Sequence, residues 1–191
     1  MTASPTSGEL ILAAARRAIL ARGPGNLTLS AVAAAAGVSR PTLYRWFPTK
    51  DDLLGAIANY ETRIFDVGLR AAVEAHRSPA RRLDAALRYL VTYLDDSLGA
   101  EAIGVDPAFA LRSLAEALEP QVHALVQLLG DDFTQVPAVR AGGLSREQAA
   151  EVFIRLAYSH YLVPHPEPEL LIAAMRSFAG LTRRSPRRAA G

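Results

Sequence analysis

Apolar residues return every three or four positions along most of the chain, and no run shows the alternation of a strand. In "LILAAARRAILARG", Ile11, Ala15, Ala18 and Ile19 share one helical face; Thr6 and Glu9 form a capping box before it and Gly23 ends it. "TLSAVAAAAG" turns Val32, Ala33 and Ala36 inward and stops at Gly37. Ser39 caps a third helix, where Pro41 falls in the first turn and no backbone donor is missed. Thr49 and Asp52 form a second box and open a long helix to about His76. Ser78 and Pro79 start another, ending at Gly99. "DPAFALRSLAEALEPQVHALVQLLG" reads as a short helix and a second one joined near Glu119-Pro120. Residues 130–144, "GDDFTQVPAVRAGGL", read as a mobile loop. Ser145 and Gln148 box the start of "LSREQAAEVFIRLAYSHYLVP", and "EPELLIAAMRSFAGL" forms the last helix before an arginine tail. The expected fold is all-α, with about nine helices and no internal repeat.

Composition narrows the chemistry. Half of the 191 residues are apolar, enough for a sizeable core. The absence of cysteine excludes disulfides, thiolate metal sites and thiol catalysis. No run approaches the roughly 18 apolar residues of a membrane span, and "MTASPTSGEL" lacks the basic and apolar regions of a secretory signal. A soluble, cytoplasmic protein is expected, with no membrane partner. Charge changes the picture only when divided. Residues 1–50 carry Arg16, Arg17, Arg22, Arg40, Arg45 and Lys50 against Glu9 alone, net +5, while residues 51–191 carry a net −3. A basic module on an acidic body suits a nucleic-acid binder, although a small basic region also arises by chance.

The segment "GVSRPTLYRWFPTK" concentrates the candidate chemistry and holds the only tryptophan and only lysine, Trp46 and Lys50. At about 100° per residue, Leu43, Trp46 and Phe47 fall on one side of its helix. Pro41, Thr42, Tyr44 and Arg45 spread over the other. A small alanine-rich helix, a short Gly37-Val38-Ser39 link and such a second helix are the parts of a helix-turn-helix. Arg45 and Arg40 can give paired donors to guanine or clamp a phosphate; Thr42 can bond a base edge or cover a thymine methyl. Pro41 can pack on a sugar or thymine methyl, and the Tyr44 hydroxyl can reach a phosphate. Lys50 in a first turn opposes the helix dipole by about 0.3–1 kcal/mol. With Thr49 and the free backbone N–H groups it builds an anion site; the alternative is a solvated lysine offset by Asp51 and Asp52.

Residues 9 to about 56 resemble the DNA-binding domain of the TetR family of bacterial transcriptional regulators. In "LTLSAVAAAAGVSRPTLYRWFPTKDDLL", the pattern G-V-S-x-x-x-[LI]-Y-x-x-[FV]-x-x-K is met by Gly37, Val38, Ser39, Leu43, Tyr44, Phe47 and Lys50. The resemblance implies a homodimer on a palindromic double-stranded operator. It implies that Thr28 caps the second helix, Tyr44 and Lys50 hold phosphates, and Arg40, Pro41, Thr42 and Arg45 face bases. Ser30, at a position some members use for base contact, is short for that role.

Beyond residue 66 the resemblance is one of architecture. The expected division is a helix-turn-helix domain over 1–50, a ligand-binding and dimerisation domain over 51–182, and a basic tail over 183–191. That tail either adds nonspecific DNA affinity or is merely solvated. In such proteins the last two long helices form a four-helix bundle between subunits. The stripes Val152, Phe153, Leu156, His160 and Leu171, Ala174, Met175, Phe178 suit it, as they would an intramolecular core. Tyr89, Tyr93, Phe109, Arg112, His123 and Val126 are candidates for a small-molecule effector site, or plain core. "LVPHPEPELLIAAMRSFAGL" distantly resembles the QsdR-type branch, associated with lactone signals. The histidines lack ligand spacing, and there is no nucleophile elbow or phosphate loop, so no metal, cofactor or enzymatic activity is expected. The sequence therefore reads as a ligand-responsive dimeric repressor, the alternative being an architectural or partner-controlled DNA binder.

Overall fold

In this computed structural model the described residues are 6–95, 102–163 and 167–181. They form nine α-helices and no strand: α1 (Ser7–Arg22), α2 (Leu29–Ala36), α3 (Arg40–Trp46), α4 (Lys50–Glu74), α5 (Pro79–Asp95), α6 (Pro107–Leu129), α7 (Pro137–Arg140), α8 (Arg146–Leu162) and α9 (Pro168–Phe178). Short 3-10 helices cover Pro24–Asn26 and Gly130–Gln135. The described residues divide into two compact units. Residues 6–65 group with 102–117, and residues 66–95 group with 118–163 and 167–181. Thus α4 and α6 each give a segment to both units. The tail 183–191 lies outside the described residues.

The first unit is built by local signals that agree with its packing. Thr6 accepts from the Glu9 N–H at 3.3 Å while the Glu9 carboxylate takes the Thr6 N–H at 2.7 Å. The Thr6 N–H, and then the Thr6 hydroxyl at 3.1 Å, hold the Glu9 carboxyl below its ordinary range. One face of α1 buries Ile11, Ala15 and Ile19 completely; Val32 and Ala33 of α2, Leu43 and Phe47 around α3, and Leu53 and Ile57 of α4 close the core. Alanines on α1 and α2 leave these helices little to hold them apart. Arg16 Nε meets Glu61 Oε1 at 3.1 Å, tying α1 to α4. Asp106 caps α6 by accepting from the Phe109 N–H at 2.9 Å, and Phe109 packs against this same core.

In the second unit α8 and the 3-10 helix Gly130–Gln135 pack on α5, and α9 covers α5 and α8. Ser145 and Gln148 form the expected capping box at the start of α8. Leu83, Ala86, Leu87, Leu90 and Val91 of α5 are buried, as are Phe153, Ile154 and Ala157 of α8 and Ile172 and Met175 of α9. Apolar burial on this scale, not propensity, is what holds short amphipathic helices.

Three local readings give way to tertiary context. Pro120 does not break the chain, because α6 is continuous through it. A proline inside a helix costs about 3 kcal/mol by removing a backbone bond and crowding the carbonyl four residues back. Here Pro120 and Glu116 are exposed, so water can take the freed carbonyl, while buried Ala110, Leu114, Leu125 and Leu129 anchor both flanks. Residues 130–144 are ordered, not a loose loop. Phe133 is completely buried and Val136 nearly so; Arg82 Nε binds Asp132 Oδ2 at 2.6 Å, and its Nη2 donates to the Leu128 carbonyl at 2.8 Å. Finally, Trp46 leaves the buried stripe. It sits at the flank of that stripe and stays 48 % exposed, its six-membered ring against Gly8, where an added Cβ would stand 3.3 Å away.

Candidate nucleic-acid interface and the C-terminal unit

The helix-turn-helix takes its shape from the link between α2 and α3. Gly37 adopts φ +67°, a left-handed conformation that costs a side chain little only in glycine. Its N–H returns to the Ala33 and Ala34 carbonyls, and the Val38 N–H bonds Ala33 at 3.1 Å, closing the end of α2. Ser39 Oγ then accepts from the Thr42 N–H at 3.2 Å and starts α3. With Leu43 wholly buried and Phe47 8 % exposed, the roll of α3 about its axis is fixed. That leaves Arg40, Pro41, Tyr44 and Arg45 exposed on one continuous arc, bordered by half-buried Thr42.

Several of the candidate side chains already have partners within the chain. Thr28 Oγ1 caps α2 by accepting from the Ala31 N–H at 3.2 Å. The hydroxyls of Ser39 and Thr42 lie 2.8 Å apart, so they satisfy one another on the exposed surface. Lys50 Nζ donates to the Gly25 carbonyl at 3.1 Å and ties the start of α4 to the turn after α1. Thr49 and Asp52 close a reciprocal box there: the Asp52 N–H reaches Thr49 Oγ1 at 3.1 Å and the Thr49 N–H reaches Asp52 Oδ2 at 3.0 Å. Two carboxylates in that first turn make the bare helix end less hospitable to an anion than its free N–H groups alone suggest.

The six candidate effector residues are divided between the units. Phe109 and Arg112 belong to the first, Phe109 against its core and Arg112 exposed. Tyr89, Tyr93, His123 and Val126 belong to the second, where His123 is exposed and Val126 half-buried. The structure brings Tyr89 and Tyr93 together, rings tilted with centroids 5.7 Å apart. Burial, and then the Asp66 carboxylate, push the Tyr89 phenol up to about 12. Tyr89 also lies against Gly68 so closely that a Cβ there would run into its hydroxyl and stand 2.7 Å from its ring. Gly68→Ala is therefore expected to destabilise the chain by about 1–3 kcal/mol by overpacking. With Tyr89→Ala already present, the same change should stabilise it by about 1 kcal/mol, as alanine does for glycine inside a helix. Chemical denaturation of the four proteins of this cycle checks the reversal; the same sign in both backgrounds would refute it.

The predicted stripes on α8 and α9 also separate. Phe153, His160 and Met175 are buried. Val152, Ala174 and Phe178 are exposed, and Leu156 and Leu171 half-buried. Val163 and Leu170, not singled out in the sequence, are 77 % and 55 % exposed and extend the uncovered apolar surface. Sequence reasoning also missed Gln121, buried on α6, whose Oε1 accepts from Tyr158 Oη of α8 at 2.9 Å. The only signal was a pair of tyrosines one helical turn apart, Tyr158 and Tyr161.

Residues 11–57 match the family described as bacterial regulatory proteins, tetR family. The match covers α1 to α3 and the start of α4, the segment that holds the helix-turn-helix. Over 77 residues the chain is 35% identical to the uncharacterized HTH-type transcriptional regulator Rv1255c of Mycobacterium tuberculosis, a match covering 40% of this chain and 38% of that protein. It thus spans well under half the length of that curated relative. The likeness in fold extends further. AibR, solved with isovaleryl coenzyme A and operator DNA, superposes with a TM-score of 0.59 at 21% identity, covering 92% of this chain and 99% of AibR. FadR from Bacillus subtilis, solved with stearoyl-CoA, gives a TM-score of 0.61 at 17% identity, over 90% of this chain and 95% of FadR. No described helix is long and apolar enough to cross a membrane.

Proposed function

We propose that the chain is a homodimeric transcriptional repressor that reads a palindromic operator through α3 and leaves it when a small molecule binds the C-terminal unit. The observation that carries this reading is the exposed arc of Arg40, Pro41, Tyr44 and Arg45 on a helix whose roll is fixed by buried Leu43 and Phe47. A guanidinium, a phenol and a proline ring on one small convex face serve neither a core nor a catalytic centre. They suit guanine edges, phosphates and sugars in a major groove. Two such helices must meet groove centres about 34–36 Å apart, which a two-fold dimer provides. The uncovered stripe of Val152, Leu156, Leu170, Leu171, Ala174 and Phe178 is the surface we assign to that dimer.

The ligands of the two relatives in fold, isovaleryl coenzyme A and stearoyl-CoA, support an acyl thioester or a molecule like it as effector. By linkage, DNA then weakens the effector by the factor with which the effector weakens DNA. The test is selection of bound fragments from the host genome by the full chain. Recovery of a palindrome with half-sites one helical turn apart is expected. Binding that is salt-sensitive but blind to sequence would instead make the chain an architectural DNA binder.

A further inference from the structure

The least explained group in the C-terminal unit is the phenol of Tyr161. The residue is 6 % exposed, and its Oη is buried with no hydrogen-bond partner among the described residues. A buried hydroxyl left unpaired is costly, and native cores rarely keep one without a water, an ion or a ligand to satisfy it. One turn earlier on the same face of α8, Tyr158 has the partner that Tyr161 lacks, in Gln121. That bond uses the Gln121 oxygen; no described residue accepts from its amide nitrogen, which keeps a little exposure in a residue 7 % exposed overall. The buried carboxylate oxygen of Asp84 on α5 is taken by Arg176 of α9 at 2.7 Å. The buried positions of α5 are Leu83, Ala86, Leu87, Leu90, Val91 and Leu94, and those of α9 are Ile172 and Met175.

We propose that Tyr161 Oη and the Gln121 amide nitrogen are the polar end of an effector site in the C-terminal unit, and that they take the neutral carbonyl of an otherwise apolar ester, thioester or amide. This rests on the ligand-responsive reading above. Both groups are donors, so the ligand must bring the acceptor. Neither is a cation, and a carboxylate buried against two neutral donors would keep most of its desolvation cost. Burial pushes the Tyr161 phenol up to about 12, so it keeps its proton and donates throughout the physiological range. The neighbouring His160 is turned about 100° around the helix and does not share this face. An apolar lining with a few donors is the ordinary composition of a small-molecule site.

The test compares full-length wild type with Tyr161→Phe, using matched probes: acyl-CoA thioesters from butyryl to stearoyl, the corresponding methyl esters, the free carboxylates and the parent alkanes. Binding is read by calorimetry and by the shift in melting temperature, and operator release is read separately. Tyr161→Phe removes only a buried, unpaired hydroxyl, so the variant should fold; its own melting temperature confirms that. The expected result is that at least one carbonyl probe binds the wild type more tightly than its alkane and carboxylate, and loses about tenfold in affinity in the variant. Methyl esters matching the thioesters would place recognition in the carbonyl; thioesters alone binding, with the loss unchanged, would add the coenzyme as a second determinant. If no carbonyl probe binds, or if the variant binds each as the wild type does, the phenol is satisfied by a core water and the proposal is overturned. Release of the operator equal in both proteins would overturn the site and leave the repressor reading standing. Tyr161-dependent binding without release would do the reverse.

Discussion

Phe133→Ala is expected to destabilise the chain by about 3–5 kcal/mol, the range found when a buried aromatic ring is deleted. The prediction is pointed because "GDDFTQVPAVRAGGL" has the composition of a surface loop, where such a change would be worth little. In the structure Phe133 is completely buried in a short 3-10 helix laid on α5, and Arg82 holds the neighbouring Asp132 at 2.6 Å and the Leu128 carbonyl at 2.8 Å. Removing the ring leaves a hole that the flanking ion pair and the bond to the backbone keep from collapsing. Phe178→Ala, which removes the same ring from a residue 67 % exposed, should change the stability of the isolated subunit little. It should instead weaken subunit association if that surface meets a second copy. Urea denaturation at low protein concentration measures the first effect, and sedimentation across a concentration series the second. A Phe133→Ala midpoint within about 0.5 kcal/mol of wild type would mean that residues 130–144 are not part of the core.

The second large effect is on recognition. Arg45→Ala with Thr42→Ala should weaken binding to the selected operator by about a hundredfold to ten-thousandfold, since each base contact discriminates by roughly 1–3 kcal/mol. Binding to mixed-sequence DNA should fall far less, with the salt slope reduced by about 0.9 for the one cation removed. The contrast between the two DNAs separates readout from loss of fold. Ser39 Oγ still caps the Thr42 backbone N–H at 3.2 Å after the Thr42 hydroxyl is gone, so α3 should persist with unchanged helicity. Equal losses on both DNAs would show that these side chains only hold phosphates, and would move specificity elsewhere on the chain.

The helix starts were legible because capping is local chemistry. Thr6 with Glu9, Thr49 with Asp52, and Ser145 with Gln148 each satisfy backbone donors within three residues, and the structure shows each reciprocal pair. The turn at Gly37 was legible for the same reason. Pro120 and the 130–144 segment were misread because a proline's cost and a loop's composition are also local, whereas the burial that overrides them comes from distant parts of the chain. Trp46 was misread because a helical wheel gives an angle and not a neighbour. Its ring lies against Gly8, thirty-eight positions earlier, and a wheel cannot know that a glycine stands there.

The sequence by itself determined most of the helices, their caps, the basic N-terminal module and the motif Gly37 to Lys50, which lies within the match to the tetR family. All of these depend on contacts within a few residues or on the order of residues along the chain. Only the tertiary structure decided which side of α8 and α9 is core and which is uncovered. The apolar residues there surround much of each helix, so periodicity alone cannot separate buried Phe153 and Met175 from exposed Val152 and Phe178. It also decided that Tyr158 finds Gln121 while Tyr161 finds no partner, because whether a buried donor meets an acceptor depends on side chains far apart in sequence.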